Sequence, residues 1–114
     1  MLLRVAVAAV MAVAVPAFAQ SVPAGYPADY AQTIAAARKE GKVVVYSALD
    51  TKAAQPLIKD FNALYPDIKV EYNDMNSTEM YNRFIAEQAS GQGGADVMWS
   101  SVEFMSLYST FTFG

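Results

Sequence analysis

The sequence predicts an α/β fold built on a parallel sheet, and three observations carry that reading. Stretches with helical and strand-like patterning alternate along the chain, in the order helix, strand, helix, strand, helix, strand. The first strand-like run, Val43-Val44-Val45-Tyr46, is apolar throughout, as strands covered on both faces are. In the second, Ile68, Val70 and Tyr72 alternate with Asp67, Lys69 and Glu71, the period-two pattern of a strand with one polar face. Helical crossovers between parallel strands are the economical connection for such an alternation. The apolar run then belongs in the centre of the sheet, with residues 68–72 on one side of it.

The chain opens on a different kind of segment. Arg4 precedes an unbroken Ala/Val/Met run over residues 5–15, Pro16 stops it, and Ala17-Phe18-Ala19 follows with small residues at both ends of an A-x-A site. A positive start, a short apolar core and such a site describe a secretory signal peptide over residues 1–19, cleaved after Ala19. At about 1.5 Å per helical residue the run is too short to cross a ~30 Å hydrocarbon core.

Residues 21–27, with Pro23, Gly25 and Pro27, form an extended lead-in. A helix is expected over 29–40: Tyr30, Ile34 and Ala37 share a face, Arg38 and Lys39 lie in the last turn, and Gly41 supplies the left-handed C′ position. After the turn at 47–51, Leu57, Ile58, Phe61, Leu64 and Tyr65 make one helical stripe. Pro56 is tolerated in the first turn of a helix, which sets the start near Lys52 or Ala53, and Pro66-Asp67 ends it. Asn76 and Glu79 have the spacing of a capping box, opening a third helix that buries Met80, Phe84 and Ile85 and runs to about Ser90. Gly91-Gln92-Gly93-Gly94 is a turn, and residues 95–100 are a short strand centred on Val97-Met98-Trp99.

Composition narrows the chemistry. The net charge is −3 and no basic cluster exists, which argues against a nucleic-acid partner. Cysteine and histidine are absent, so disulfides, thiol catalysis, Cys/His zinc sites and any triad needing an imidazole are excluded. No pair of carboxylates stands out for acid/base work, no Gly-x-Ser-x-Gly elbow occurs, and no catalytic or metal-ligating residue is assigned.

Ligands of open parallel sheets bind beyond the carboxyl ends of strands. Three hydroxyl-rich segments occupy such positions: Ser47 to Thr51 with Asp50, Asn76-Ser77-Thr78, and Ser100-Ser101. Hydroxyls and helix-start amides together can cradle a carboxylate, a phosphate or a polyol. Asp50, Thr51, Asn76 and Ser77 are equally ordinary helix caps. A serine pair directly after an apolar strand has no packing reason to be there, which sets Ser100 and Ser101 apart, with a loop or the cap of a following helix as the equal alternative.

From Gly41 to Ser101 the chain resembles the periplasmic solute-binding proteins of ABC importers, in the extracellular family that includes the ferric-ion-binding proteins. The matching pieces are Gly41-Lys42-Val43-Val44-Val45-Tyr46-Ser47, Phe61-x-x-x-Tyr65-Pro66-x-Ile68-Lys69-Val70, Arg83-x-x-x-Glu87 and Ala95-Asp96-Val97-Met98-Trp99-Ser100-Ser101. The resemblance implies the first part of a type II periplasmic-binding lobe, with strand order 2-1-3 and the 47–51 loop beside Ser100-Ser101 at a cleft. It further implies a monomer in the periplasm that captures a small-molecule or ion solute, without catalysis or a resident cofactor, and delivers it to a membrane permease. Ser47, Asp50, Ser77, Ser100 and Ser101 would contribute from this lobe.

Ferric-binding relatives often carry a histidine in the loop after the first strand and a glutamate after the Asp-Val strand. The corresponding positions here are Asp50 and Ser101. A small anionic solute such as an organic phosphate suits these hydroxyls, with ferric ion the other cargo that the resemblance implies. Residues 20–101 then form a partial N-terminal lobe. Residues 102–114, apolar and without a helical period, are read as a divergent or frame-shifted tail. The alternative is a small secreted α/β enzyme or accessory domain.

Overall fold

A computed structural model describes residues 22–109. The leader read at residues 1–19 lies outside the described residues. Helix α1 (Tyr30–Glu40) has Asp29 at its N-cap and ends at Gly41, whose φ of 72° is the left-handed conformation expected there. The Gly41 carbonyl accepts from Lys69 N at 2.9 Å, and Arg38 pairs with Asp67 at 3.4 Å. The turn out of α1 is thereby tied to the entry of the second strand.

Strands β1 (Lys42–Ser47), β2 (Lys69–Asp74) and β3 (Val97–Trp99) form one parallel sheet of order β2-β1-β3. The apolar run is central and the alternating strand lies to one side, as the patterning predicts. The strand expected over 68–72 is displaced toward Asp74, with Ile68 buried just ahead of it. Register pairs Val44 with Glu71 and Tyr46 with both Asn73 and Met98, so the polar residues of β2 share a face with Val44 and Tyr46.

Helix α3 (Ser77–Ser90) covers that face. Its capping box forms as read: Asn76 Oδ1 accepts from Glu79 N at 2.9 Å, and Glu79 Oε2 accepts from Asn76 N at 3.1 Å. Met80 and Phe84 are buried and Ile85 packs on their cluster.

The stretch after Ser101 departs from expectation, because it forms α4 (Val102–Tyr108). Tyr108 is fully buried, edge-on to Phe84 with ring centroids 5.1 Å apart and 5.7 Å from Tyr81, and Phe104 joins the same cluster. Phe104 and Tyr108 are four residues apart, an inner face of one turn. Val102, Met105 and Leu107 are apolar but exposed, which hides that period in the sequence.

Helix α2 (Thr51–Leu64) lies over the opposite face. It starts earlier than its proline suggests, so Pro56 sits in the second turn. Both Pro56 and Lys52, whose carbonyl loses an intrahelical donor, are exposed to water. The apolar stripe is only partly covered: Ala54 is buried, Ile58 and Phe61 are half-buried, and Leu57 and Leu64 are 59 % and 67 % exposed. Between α2 and the sheet lies an apolar groove of about 280 Å³, lined by Val43, Val45, Phe61, Val70 and Trp99 among others. Among the described residues no helix is long and apolar enough to cross a membrane.

Candidate functional site

The three hydroxyl-rich segments meet at the carboxyl edge of the sheet. The Ser47 carbonyl accepts from Met75 N and Ala48 N donates to the Trp99 carbonyl, both at 3.0 Å. The loop after β1 is thus wedged between the end of β2 and the end of β3.

Within that loop the polar groups are committed to the scaffold. Ser47 is fully buried, and its Oγ accepts from Leu49 N at 3.0 Å. Asp50 caps α2 by accepting from Lys52 N at 2.9 Å. Thr51 donates its N–H and its hydroxyl to Asp74 Oδ2, at 2.9 and 3.2 Å. Tyr72 donates its hydroxyl to the Leu49 carbonyl at 2.7 Å. Asp74 and Tyr72 therefore belong to this edge, although the sequence reading placed no functional residue on β2. The alternation of β2 puts Tyr72 on the α2 face and could have flagged it, whereas it ends before Asp74, which no sequence pattern marks.

Ser77 is the half-buried first residue of α3, directly after the reciprocal Asn76–Glu79 cap. A concavity of about 670 Å³ opens beside it, lined by Asn73, Asp74, Met75, Glu79, Asn82 and Arg83.

Ser100 and Ser101 differ from the other candidates. The Ser100 Oγ is buried without a hydrogen-bond partner. Ser101 occupies the N-cap of α4, yet its side chain makes no capping bond, and it is exposed. Buried hydroxyls are nearly always satisfied, so an unpartnered one beside the loop after β1 marks a place where a polar group is wanted.

A second polar cluster lies on the α3 side of the sheet. Tyr46, 1 % exposed, donates its hydroxyl to Glu87 Oε1 at 2.7 Å. Arg83 Nε reaches the same oxygen at 3.0 Å, with its guanidinium 4.5 Å from the Tyr46 ring centre. Burial, and then the hydrogen bond and charge of Glu87, raise the Tyr46 hydroxyl above its ordinary pKa of 10.0. Gly94 closes over the cluster: a Cβ there would collide with the Tyr46 hydroxyl and the Glu87 carboxylate. The adjoining hollow of about 640 Å³ contains none of the predicted site residues. Among the described residues no group of three or more Asp, Glu, His or Cys side chains could hold a metal ion.

A three-stranded parallel sheet of order β2-β1-β3 flanked by helices is an α/β arrangement consistent with part of one lobe of a solute-binding domain. The family model for bacterial extracellular solute-binding proteins matches residues 47–110, from the end of β1 through α4. The chain belongs to that family. The match crosses the boundary at Ser101 and takes in the α4 segment. No curated protein gives a significant match.

Proposed function

We propose that this chain serves an ABC importer as its periplasmic solute-binding component, capturing a small anionic solute such as an organic phosphate and handing it to a membrane permease. It acts as a monomer, and binding involves no catalysis. Membership of the solute-binding family supports the general role. The observation that carries the solute class is the contrast among helix starts at the carboxyl edge. Those of α2 and α3 are filled by Asp50, Asp74, Asn76 and Glu79 from the protein itself. Ser100 and Ser101, ahead of α4, keep hydroxyls that no protein group engages. Hydroxyl donors suit phosphate or carboxylate oxygens. Ferric ion is the competing cargo, and the titration below includes it.

The test is a titration of the isotope-labelled chain with glycerol 3-phosphate and, separately, ferric citrate, following backbone amide shifts. Glycerol 3-phosphate is expected to move the Ser100 and Ser101 amides. Ser100→Ala is expected to weaken the response by about 1 kcal/mol, roughly fivefold in Kd. Shifts confined to other regions, or an unchanged response in the variant, would remove these serines from the site.

A further inference from the structure

We infer that Asp96 is a positioning residue for the solute site: it clasps Val44 and so sets the register of β3, which delivers Ser100 and Ser101 to the carboxyl edge. The part concerning solute rests on the reading of those serines given above. Both polar backbone groups of Val44 are held by this one residue. Val44 N donates to Asp96 Oδ2 at 2.8 Å, and the Val44 carbonyl accepts from Asp96 N at 2.9 Å. A regular parallel ladder would satisfy Val44 N with a backbone carbonyl. Here the carboxylate substitutes for it.

The need for such a clasp follows from β3 itself. The strand has three residues, Val97, Met98 and Trp99, and among the described residues it pairs with β1 alone. Register is normally specified by alternation between a buried apolar face and a polar one. Met98 packs half-buried on the core cluster while Val97 and Trp99 are 45 % and 40 % exposed, but all three are apolar, so a slipped register would meet no buried polar group and is opposed by little more than the Met98 contact. Ahead of Asp96 the only side chain among Gly93, Gly94 and Ala95 is the alanine methyl, which packs on the core cluster. A slip of one residue, about 3.3 Å, would break the Ala48–Trp99 bond and carry Ser100 off the edge. A polar clasp at the start of the strand supplies the discrimination that the side chains lack.

The experiment uses the full chain, with amide hydrogen exchange and the glycerol 3-phosphate titration read on the same labelled samples. In the unsubstituted protein the Val44 amide is expected to be protected. Asp96→Ala is expected to speed exchange at Val44 and Ala48 and to weaken the Ser100 and Ser101 response. Asp96→Asn retains an acceptor oxygen at the same reach and is expected to restore both. Asp96→Glu keeps the charge but moves the acceptor by a methylene, and is expected to leave Val44 exchanging fast. Should Asp96→Ala fail to fold, the Asn and Glu variants decide: Val44 protected in Glu and open in Asn would overturn the clasp. So would Val44 exchange that Asp96→Ala leaves unchanged, or that is fast in the unsubstituted chain. Should glycerol 3-phosphate move no amide even in the unsubstituted chain, the solute reading fails while Val44 exchange still judges the clasp.

Discussion

Tyr46 and Tyr108 are buried in one cluster, 1 % and 0 % exposed, yet deleting their hydroxyls should move stability in opposite directions. Tyr46→Phe keeps the ring and its contact with the Arg83 guanidinium, and removes only the donor to Glu87. A hydrogen bond to a charged acceptor contributes about 1.5–3 kcal/mol. Glu87 retains Arg83 and a side chain 19 % exposed to water, so the lower end applies, a loss of about 1.5 kcal/mol. The Tyr108 hydroxyl has no partner. An unsatisfied buried hydroxyl carries a desolvation penalty of about 1–3 kcal/mol, so Tyr108→Phe should stabilise by about 1 kcal/mol. Urea unfolding followed by circular dichroism reads both. With a slope of about 1–3 kcal/mol per molar urea, the midpoint should fall by roughly 0.5–1.5 M for Tyr46→Phe and rise by somewhat less for Tyr108→Phe. Midpoints that move together would show that hydrogen-bond satisfaction does not decide these positions.

Other expectations use the same assay. Gly94→Ala forces a methyl against the Tyr46 hydroxyl and Glu87 carboxylate and should destabilise by about 1–3 kcal/mol, since any relief breaks that bond. Asn76→Ala removes the side-chain half of the α3 capping box and should lower stability by about 1 kcal/mol. Burial raises both Tyr46 and Tyr108 above the ordinary value of 10.0, with Glu87 adding to the effect at Tyr46 and Tyr81 at Tyr108. An acid held protonated by the fold contributes stability that is complete below its unfolded pKa and is lost as pH rises through its folded one. Urea midpoints should therefore decline above pH 10, less steeply in Tyr46→Phe, and equal slopes would contradict the assignment.

What the sequence made legible was local. Gly41 after two basic residues, and Asn76 three residues ahead of Glu79, are complete signals within one helical turn, and both form as read. The uniform apolarity of residues 43–46 placed that strand centrally because coverage of both faces is itself a sequence pattern. Helix α2 begins at Thr51, one residue ahead of the reading from Pro56, because Asp50 caps it through Lys52 N, and Asp74 adds bonds to the Thr51 amide and hydroxyl from 23 residues away. Helix α4 was missed because three exposed apolar residues surround the Phe104–Tyr108 pair. The Tyr46–Glu87 bond joins residues 41 apart, with nothing in either neighbourhood to announce it.

The candidate site divides along the same line. Hydroxyl-rich loops at strand ends read alike in sequence, but the structure gives them two different tasks. Around β1 the polar groups bind one another: Ser47 to Leu49, Tyr72 to Leu49, Thr51 to Asp74, Asp50 to Lys52. Each of those bonds spends a donor or acceptor that a solute would need, and each fixes the loop between its neighbouring strands. That loop is a floor. Beyond β3 the order is reversed, because the Ser100 hydroxyl is buried without a partner and Ser101 caps nothing. Because the Ser100 Oγ is buried, a solute proposed to meet it would need a local opening beyond β3, and such an opening can leave the braced loop intact, since the hydroxyls there are not the groups that hold the strands together.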